Sequence, residues 1–264
     1  MKKTIAVGLL WAAVLMAQGP GGGRGFGGGF SAGRGFGPGG GFGGFGPQKV
    51  VTGAPYSATE TSTSVRTLAN GSQITNTSQA TVARDSQGRV STSRTVTPAA
   101  SSGKAPYTVT TIFDPVAGYS YSLNSSTMIA TQIALPQKKT TTGTRPAPPS
   151  NPNVTTTSLG TQTINGVSAT GTEVTRTIPA GTIGNAQAIT ATRVTWVSTA
   201  LQIPVEIKSN DPMFGTTDME VTNIVQAEPN ASLFLVPAGY TIQTPSAGRK
   251  GAGMRQPGGH ARQF

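Results

Sequence analysis

Beyond the first 48 residues, apolar and polar side chains alternate in short segments that are rich in Thr, Ser and Val. Val194 and Trp196 share one face of such a segment, and Ile203, Val205 and Ile207 share one face of the next. A period of two with one polar face is typical of half-buried antiparallel strands, and β-branched residues favour the pleated backbone. No segment has the apolar period of an amphipathic helix of three turns. The pattern therefore predicts an all-β protein.

Turn signals recur about every ten residues, which is the spacing expected of successive antiparallel strands. The pairs Asn70-Gly71 and Asn165-Gly166 predict tight hairpins, because both central positions of such turns favour positive φ. Leu233–Val236 is predicted to be a short helix or a last apolar contact. The predicted strands lie at 58–68, 72–84, 89–97, 107–113, 119–123, 128–135, 154–164, 167–178, 188–198, 202–210 and 217–228.

An antiparallel sheet of this size must curl, close or split into two layers to hide its apolar face. We expect a curved antiparallel sheet, half-open and barrel-like, with few or no helices. A closed sheet and a two-layer sandwich remain alternatives. In Thr59–Thr67 both faces are largely polar, which predicts a strand that lies at an edge or is long and exposed.

The N-terminus has the pattern of a secretory signal peptide over residues 1–17. Lys2 and Lys3 precede an apolar run of thirteen residues that ends at Ala17. That run is shorter than the roughly 20 residues of a membrane-spanning helix and matches the apolar region of a signal peptide. We expect cleavage before Gln18 and export to the periplasm, the cell envelope or the exterior of a bacterium. A retained N-terminal anchor is the alternative.

The rest of the chain divides by composition. Residues 18–47 are rich in Gly, Phe and Arg and predict a flexible linker, since such a segment buries too little apolar surface to fold. An antiparallel β-domain is predicted over 48–243, with a Pro-rich loop at 136–153. The basic residues 244–264 are expected to be disordered.

The formal net charge is +11, a value that invites a nucleic-acid interpretation. Its distribution argues against that interpretation. The predicted β-domain holds twelve basic residues and all 9 acidic ones, so most of the excess lies in the terminal segments. We therefore expect no specific nucleic-acid partner. No later stretch is long and apolar enough for a second membrane span, so we expect none in the mature protein.

Residue types that carry catalysis are scarce. The chain has no Cys, and its one histidine, His260, lies in the predicted disordered tail. These facts exclude thiol nucleophiles and argue against histidine triads and histidine metal sites. Asp218 and Glu220 are two apart on one predicted strand, where a solvated face is the simplest interpretation. The sequence therefore predicts no enzyme, no catalytic or metal-binding residue and no cofactor.

A spaced pattern covers about a quarter of the chain near its C-terminal end. It contains Trp196-Val-Ser198, Leu201-Gln-Ile-Pro-Val205 and the terminal motif Leu233-Phe-Leu-Val-Pro-Ala-Gly-Tyr240. This order resembles the C-terminal half of bacterial envelope proteins of the outer-membrane lipoprotein carrier, or lipoprotein-sorting, superfamily. The resemblance implies an incomplete, strongly curved β-barrel that shelters acyl chains. The carriers also have helices over the open barrel, which this sequence does not predict.

Two functions remain open from the sequence. The first is an exported, non-enzymatic envelope protein whose curved sheet binds lipid or another hydrophobic ligand, with lipid or envelope components as partners. The second is a structural or adhesive surface protein tethered through its Gly-rich arm. The candidate ligand-binding residues, which serve equally well as the core of the sheet, are Val194, Trp196, Ile203, Val205, Ile207, Phe234 and Tyr240.

Overall fold

The structure of the protein, a computed structural model, describes residues 50–136 and 151–245. These ranges form one sheet of twelve strands with two short 3-10 turns, at Ala100–Ser102 and Ala231–Phe234. Within the described ranges, no helix is long and apolar enough to cross a bilayer. The strands are β1 (Tyr56–Thr67), β2 (Gln73–Arg84), β3 (Val90–Val96), β4 (Tyr107–Asp114), β5 (Tyr119–Asn124), β6 (Ile129–Ala134), β7 (Val154–Ile164), β8 (Val167–Ile178), β9 (Ile189–Ser198), β10 (Ile203–Asp211), β11 (Gly215–Val225) and β12 (Thr241–Gln243).

The predicted all-β class is confirmed, and each of the eleven predicted strands lies within a few residues of an observed one. The short β12 was not predicted, because three exposed residues give no periodic signal. The signal peptide, the Gly-rich linker, most of the Pro-rich loop and nearly all of the basic tail lie outside the described residues. The predicted division of the chain into those segments therefore stays a prediction.

Two meanders meet at the middle of the sheet. The strand order is β12-β6-β5-β4-β3-β2-β1-β11-β10-β9-β8-β7. The first meander, β1–β6, runs outward from the centre in one direction. The second meander, β7–β11, runs outward in the other, from β11 at the centre to β7 at the edge. All pairs are antiparallel except β12, which lies parallel to β6. The sheet is not closed, so β7 and β12 are its edges.

The polar strand β1 was predicted to lie at an edge or exposed, and this prediction was wrong. Six strands lie on one side of β1 and five on the other. Its backbone is paired along nearly its full length with both β2 and β11. Threonine and serine suit such a position because their small side chains fit between neighbouring strands and bond each other, as Thr63 and Thr77 do at 3.2 Å.

The sheet curls strongly at one end. The Arg84 guanidinium, at the end of β2, donates from Nη2 to the backbone oxygen of Leu201 at 2.7 Å. Leu201 lies in the β9–β10 turn, and in the strand order β1, β11 and β10 separate β2 from β9. Likewise, Asn165 Nδ2 in the β7–β8 turn donates to the backbone oxygen of Val221 on β11 at 2.9 Å. These bonds fold the second meander back over the centre of the sheet, as expected of a curved, half-open sheet.

This fold-back buries the larger apolar core, which we call cluster 1. The indole of Trp196 lies directly over Gly171 on the adjacent strand, where a Cβ would come within 2.6 Å of the ring. Glycine at 171 therefore makes the space that the indole occupies. The buried members of cluster 1 are Tyr56, Ala58, Val167, Ala169, Trp196, Leu201, Val205 and Val221.

Local geometry confirms one predicted hairpin turn and corrects the other. Asn165 and Gly166 both have positive φ, 48° and 84°, as the two-residue hairpin requires. At the β1–β2 turn only Gly71 has positive φ, 82°. Leu68 donates to the Ser72 oxygen, and the loop between these two residues is three residues long. Asn70 instead accepts a bond from the Ser72 amide at 3.0 Å. A longer loop needs only one left-handed residue, and the glycine supplies it.

The predicted alignment of Ile203, Val205 and Ile207 on one face was also wrong. The pairing of β10 with β9 shifts register between Pro204 and Glu206, so Val205 stands in a β-bulge. A bulge adds one residue to a strand and breaks the period of two. Val205 is consequently fully buried, while Ile203 and Ile207 are only partly covered.

Candidate functional site

A segment without strands crosses one face of the first meander. Residues 226–240, here called the crossover segment, leave β11 beside the centre of the sheet and reach β12 beside β6 at the far edge. On the way, the 3-10 turn Ala231–Phe234 packs against β3 and β4. Asn230 begins this turn by accepting a bond from the Ser232 amide at 2.9 Å. The predicted short helix at this position is therefore a 3-10 turn, and it lies across the sheet.

The start of the crossover segment is fastened to the β2–β3 turn. The Glu228 carboxylate accepts bonds from the backbone amide of Ser86, at 3.1 and 3.3 Å, and from its hydroxyl, at 3.3 Å. The Arg89 guanidinium lies 5.2 Å from the ring centre of Phe234, which is almost fully buried. The buried carboxylate of Asp85 holds that guanidinium through Arg89 Nε at 2.5 Å. The β2–β3 turn thus positions this end of the segment through Ser86, which binds Glu228, and through the Arg89 guanidinium beside Phe234.

The other end is fastened by apolar packing and by β12. Val236 and Tyr240 pack against a second, smaller core on β4–β6, which we call cluster 2. The backbone amide of Thr241 donates to the Met128 oxygen at 2.8 Å, where β12 joins the edge of β6. The buried members of cluster 2 are Ile112, Leu123 and Ala130.

Between the two fastened ends the segment stands off the sheet and leaves a cavity of about 490 Å³. This volume lies in the range of small-molecule sites. Its roof is formed by Leu233, Leu235, Pro237 and Tyr240, with Ser232 beside them, and Asn223 lines it at the β11 end. The sheet residues that line it are Ser57, Ala58, Thr59, Thr81, Val82, Ala83, Ser91, Ser93, Thr110, Ile112 and Leu123.

The floor of the cavity consists of two rows of side chains that run across the strands. Cross-strand partners project from the same face of a sheet, so the pairing registers define the rows. One row is Ser57, Ala83, Ser91 and Ile112, and the other is Thr59, Thr81, Ser93, Thr110 and Leu123. On β1–β3 the rows carry hydroxyl side chains at every position but Ala83. After Thr110 they end in the large apolar side chains of Ile112 on β4 and Leu123 on β5.

The lining carries no charged side chain: none of its members is Asp, Glu, Lys, Arg or His. The hydroxyls of Ser93 and Thr110 bond each other at 3.0 Å. A hydroxyl has one donor and two acceptor positions, so this pair retains the capacity to accept a further bond. The cavity can therefore hold an apolar chain and satisfy neutral hydrogen-bonding groups.

Ionisable groups lie instead on the opposite face of β1 and β2. Burial raises the pKa of Tyr56 to about 12, an effect that the nearby Arg84 guanidinium partly opposes. Burial also raises the pKa of Glu60 and lowers that of Arg84. The Arg84 guanidinium lies 4.9 Å from the Tyr56 ring centre and bonds the backbone oxygens of Ala54 and Leu201. These contacts fasten the curled end of the sheet and are separated from the cavity by the sheet itself.

The structure places the seven predicted ligand-binding residues in different regions. Tyr240 lines the cavity. Phe234 is buried in the 3-10 turn that carries the roof, and Ile207 lies partly covered on β10 without joining either core. The remaining four belong to cluster 1 or pack against it: Val194, Trp196, Ile203 and Val205. A ligand contact by these four stays a prediction, and their observed role is packing.

The hydroxyl rows were missed from the sequence. In the sequence, residues such as Ser57, Thr81 and Ser91 were interpreted only as strand-forming residues. One signal was present, because the both-faced polarity of Thr59–Thr67 showed that this strand does not bury a conventional core face. That signal was attributed to an edge position, whereas the cavity floor begins on this central strand.

In the part of the chain that the structure describes, no group of three His, Cys, Asp or Glu side chains could hold a metal ion. Asp85, Asp114 and Asp211 each accept bonds from backbone amides of their own turns, at 2.8–3.0 Å. Asp218 lines a second, shallow cavity of about 210 Å³ together with Lys208. The turn aspartates thus have the capping role typical of such positions.

No family model matches the chain, and no curated protein matches it. Among solved structures, an uncharacterized conserved protein from Thermus thermophilus aligns over 72% of this chain and 90% of its own, at 11% identity and a TM-score of 0.40. The MucA/MucB complex of Pseudomonas aeruginosa aligns over 73% of this chain at 12% identity and a TM-score of 0.40, but only 59% of that chain is spanned. A LolA superfamily protein from Nitrosomonas europaea aligns over 69% and 90%, at 9% identity and a TM-score of 0.30. The chain thus resembles lipoprotein-sorting proteins in fold, the family that its sequence pattern also resembles, and at these identities the likeness concerns the fold alone.

Proposed function

We propose that this chain is an exported, non-enzymatic envelope protein that binds a lipid or another hydrophobic molecule beneath the crossover segment. The observation that carries this proposal is the cavity of about 490 Å³, with an apolar roof over a floor that ends in Ile112 and Leu123. This space is partly open to solvent, and its volume and apolar lining suit part of an amphiphilic small molecule.

The roof side chains support an apolar occupant. Leu233 and Leu235 are 46% and 58% exposed although they lie beside a cavity. Removing apolar surface from water is favourable by roughly 25 cal/mol per Å². An apolar chain in the cavity would cover the inner sides of both leucines and the floor beneath them. Binding would therefore gain free energy from surface that the unliganded fold leaves open.

The envelope location is part of the same proposal. It is supported by the signal-peptide pattern of residues 1–17. The lack of cysteine is compatible with that location, because such a chain needs neither an oxidising nor a reducing compartment to hold its fold. Membrane lipids are the abundant hydrophobic molecules of an envelope, so lipid and envelope components are the proposed partners.

The direct test measures lipid binding by the purified full chain. Native mass spectrometry of the delipidated protein with lauroyl lipids should show a one-to-one complex. Ser93→Phe should abolish it, because a phenyl ring at 93 fills the middle of the floor. Thr92→Phe is the matched control, since residue 92 is on the same strand and projects from the opposite face. Equal loss of binding in both variants, or no binding by the unmodified chain, contradicts the proposal.

A structural or adhesive surface protein remains the second candidate. The observation that favours it is β7, an edge strand whose residues are nearly all exposed and mostly Thr, Ser and Gly. Deletion of residues 19–47 should then release the protein from cells or envelope fractions. Unchanged fractionation, with lipid binding retained, would favour the first candidate over this one.

A further inference from the structure

We infer that the cavity selects an uncharged amphiphile, with its polar group on the β1–β3 side and its apolar chain beneath Tyr240. This inference rests on the proposed lipid-binding function and names the class of ligand. It is carried by the order of side chains along the two floor rows and by the absence of charge from the whole lining.

Polarity changes in one direction across the floor. Five of the six row positions on β1, β2 and β3 carry hydroxyls, those of Ser57, Thr59, Thr81, Ser91 and Ser93, and the sixth is Ala83. On β4 and β5 they end in Ile112 and Leu123, after Thr110. Five adjacent strands span roughly 19 Å at the usual strand spacing. That span is long enough for a molecule with distinct polar and apolar ends.

The residues at the two ends of the cavity follow the same order. Over the apolar end of the floor, Val236 and Tyr240 pack on cluster 2. At the opposite end, Asn223 lines the cavity from the β11 bulge, where its φ is 53°. An amide side chain offers both donors and an acceptor. The floor rows and the residues at the two ends of the cavity therefore agree on which end is polar.

The polar end suits a neutral group. A buried ionised group requires an opposite charge or several strong hydrogen bonds, because its transfer from water is costly. The nearest fixed ions of the crossover region are already engaged: Glu228 with Ser86, and Arg89 with Asp85. Hydroxyl and amide side chains satisfy alcohol, ester or sugar groups well. A glyceryl ester or a glycosylated lipid fits this lining, and a fatty acid anion or a cationic amphiphile does not.

The test compares four probes of one chain length: monolaurin, methyl laurate, laurate and dodecyltrimethylammonium. Equilibrium dialysis of the full chain against each, below its aggregation concentration, gives four affinities at neutral pH. Monolaurin should bind at least about tenfold more tightly than either ion, since an unpaired charge is penalised. Methyl laurate, which is neutral but has no hydroxyl, should fall between them. Lowering the pH until laurate is protonated should raise its affinity toward that of methyl laurate.

Two variants test the orientation. Thr59→Lys places a cation at the polar end and should raise laurate affinity while lowering that of dodecyltrimethylammonium. Tyr240→Lys places the same charge at the apolar end of the cavity, which Tyr240 lines, and should not raise laurate affinity. If neither variant folds, the pH comparison on the unmodified chain still decides the charge preference. Laurate binding as tightly as monolaurin at neutral pH overturns the inference and leaves the proposed function intact, whereas binding of none of the four probes overturns the proposed function.

Discussion

The two faces of the central strands are covered by different kinds of structure. On one face, β1 and β2 meet side chains of the second meander, and cluster 1 packs between them, with Val205 fully buried and Trp196 seated over Gly171. On the other face, a crossover segment of fifteen residues covers β1–β6 from above. It contributes Phe234, Val236 and Tyr240 to the packing and leaves a cavity of about 490 Å³.

The difference follows from what covers each face. A sheet that curls onto itself supplies many side chains at regular spacing, so its apolar groups interdigitate at interior density. A single chain segment without strands supplies few side chains and is fixed mainly at its ends. The first arrangement makes a core, and the second leaves a cavity, which is the proposed ligand site. Stability and binding should therefore be separable by mutation, in the order that follows.

The largest effect is expected at cluster 1. Trp196→Ala should lower the free energy of unfolding by about 3–5 kcal/mol, because it removes a large buried side chain and leaves a void over Gly171. Chemical denaturation with native mass spectrometry of the folded fraction measures both quantities. Lipid binding by the molecules that remain folded should be unchanged. Loss of binding at unchanged stability would show that Trp196 contacts the ligand, as the sequence-based hypothesis has it.

A smaller loss is expected at the crossover segment. Phe234→Ala should cost about 1.5–3 kcal/mol, the value of burying one such side chain, and should release the segment before the rest of the sheet unfolds. Hydrogen exchange should show faster exchange at β12, with β8–β10 still protected. Lipid binding should fall together with this local protection. Uniform exchange across the whole sheet would contradict a crossover segment that opens separately from it.

Gly171→Ala tests the packing of cluster 1 by adding a methyl group, whereas the preceding variants remove side-chain atoms. The added Cβ would meet the indole of Trp196 at 2.6 Å, so the ring must move within a filled core. Overpacking of this kind costs about 1–3 kcal/mol. Gly53→Ala and Gly103→Ala make a poor comparison, because both glycines have positive φ. Ala58→Gly is a better control, since it removes a methyl group from the same cluster. A denaturation midpoint that Gly171→Ala leaves unchanged would contradict the tight packing around Trp196.

The smallest effect concerns the pH dependence of stability. Burial raises the pKa of Glu60, so the folded protein binds this proton more tightly than the unfolded chain does. The contribution of Glu60 is therefore fully present below its unfolded pKa and is lost as the pH rises through its folded pKa. Glu60→Gln should remove this loss and gain stability relative to the unmodified chain between acidic and neutral pH. Chemical denaturation of both proteins from acidic to neutral pH measures the difference, and identical pH profiles for the two would contradict this prediction.

Local sequence carried most of the secondary structure. Alternation and β-branched composition placed eleven strands, and Asn165-Gly166 fixed a hairpin whose two positive φ values the structure confirms. The errors were also local in origin. The bulge at Val205 inserts one residue that no periodic pattern reveals, and β12 is held at the edge only by its pairing with β6. The polar pattern of β1 was interpreted as an edge because sequence shows polarity but not neighbours.

The sequence alone thus determined that this chain forms antiparallel strands with a nearly neutral body and without histidine or cysteine chemistry in that body. Only the tertiary structure decided that β1 is central and that residues 226–240 cross its meander. The contacts that decide this join distant positions, such as Glu228 with Ser86 and Thr222 with Thr59, which lie 142 and 163 residues apart. Periodicity and turn chemistry act over a few residues, whereas the cavity depends on which distant segment covers the sheet, and that is settled by packing of the whole chain.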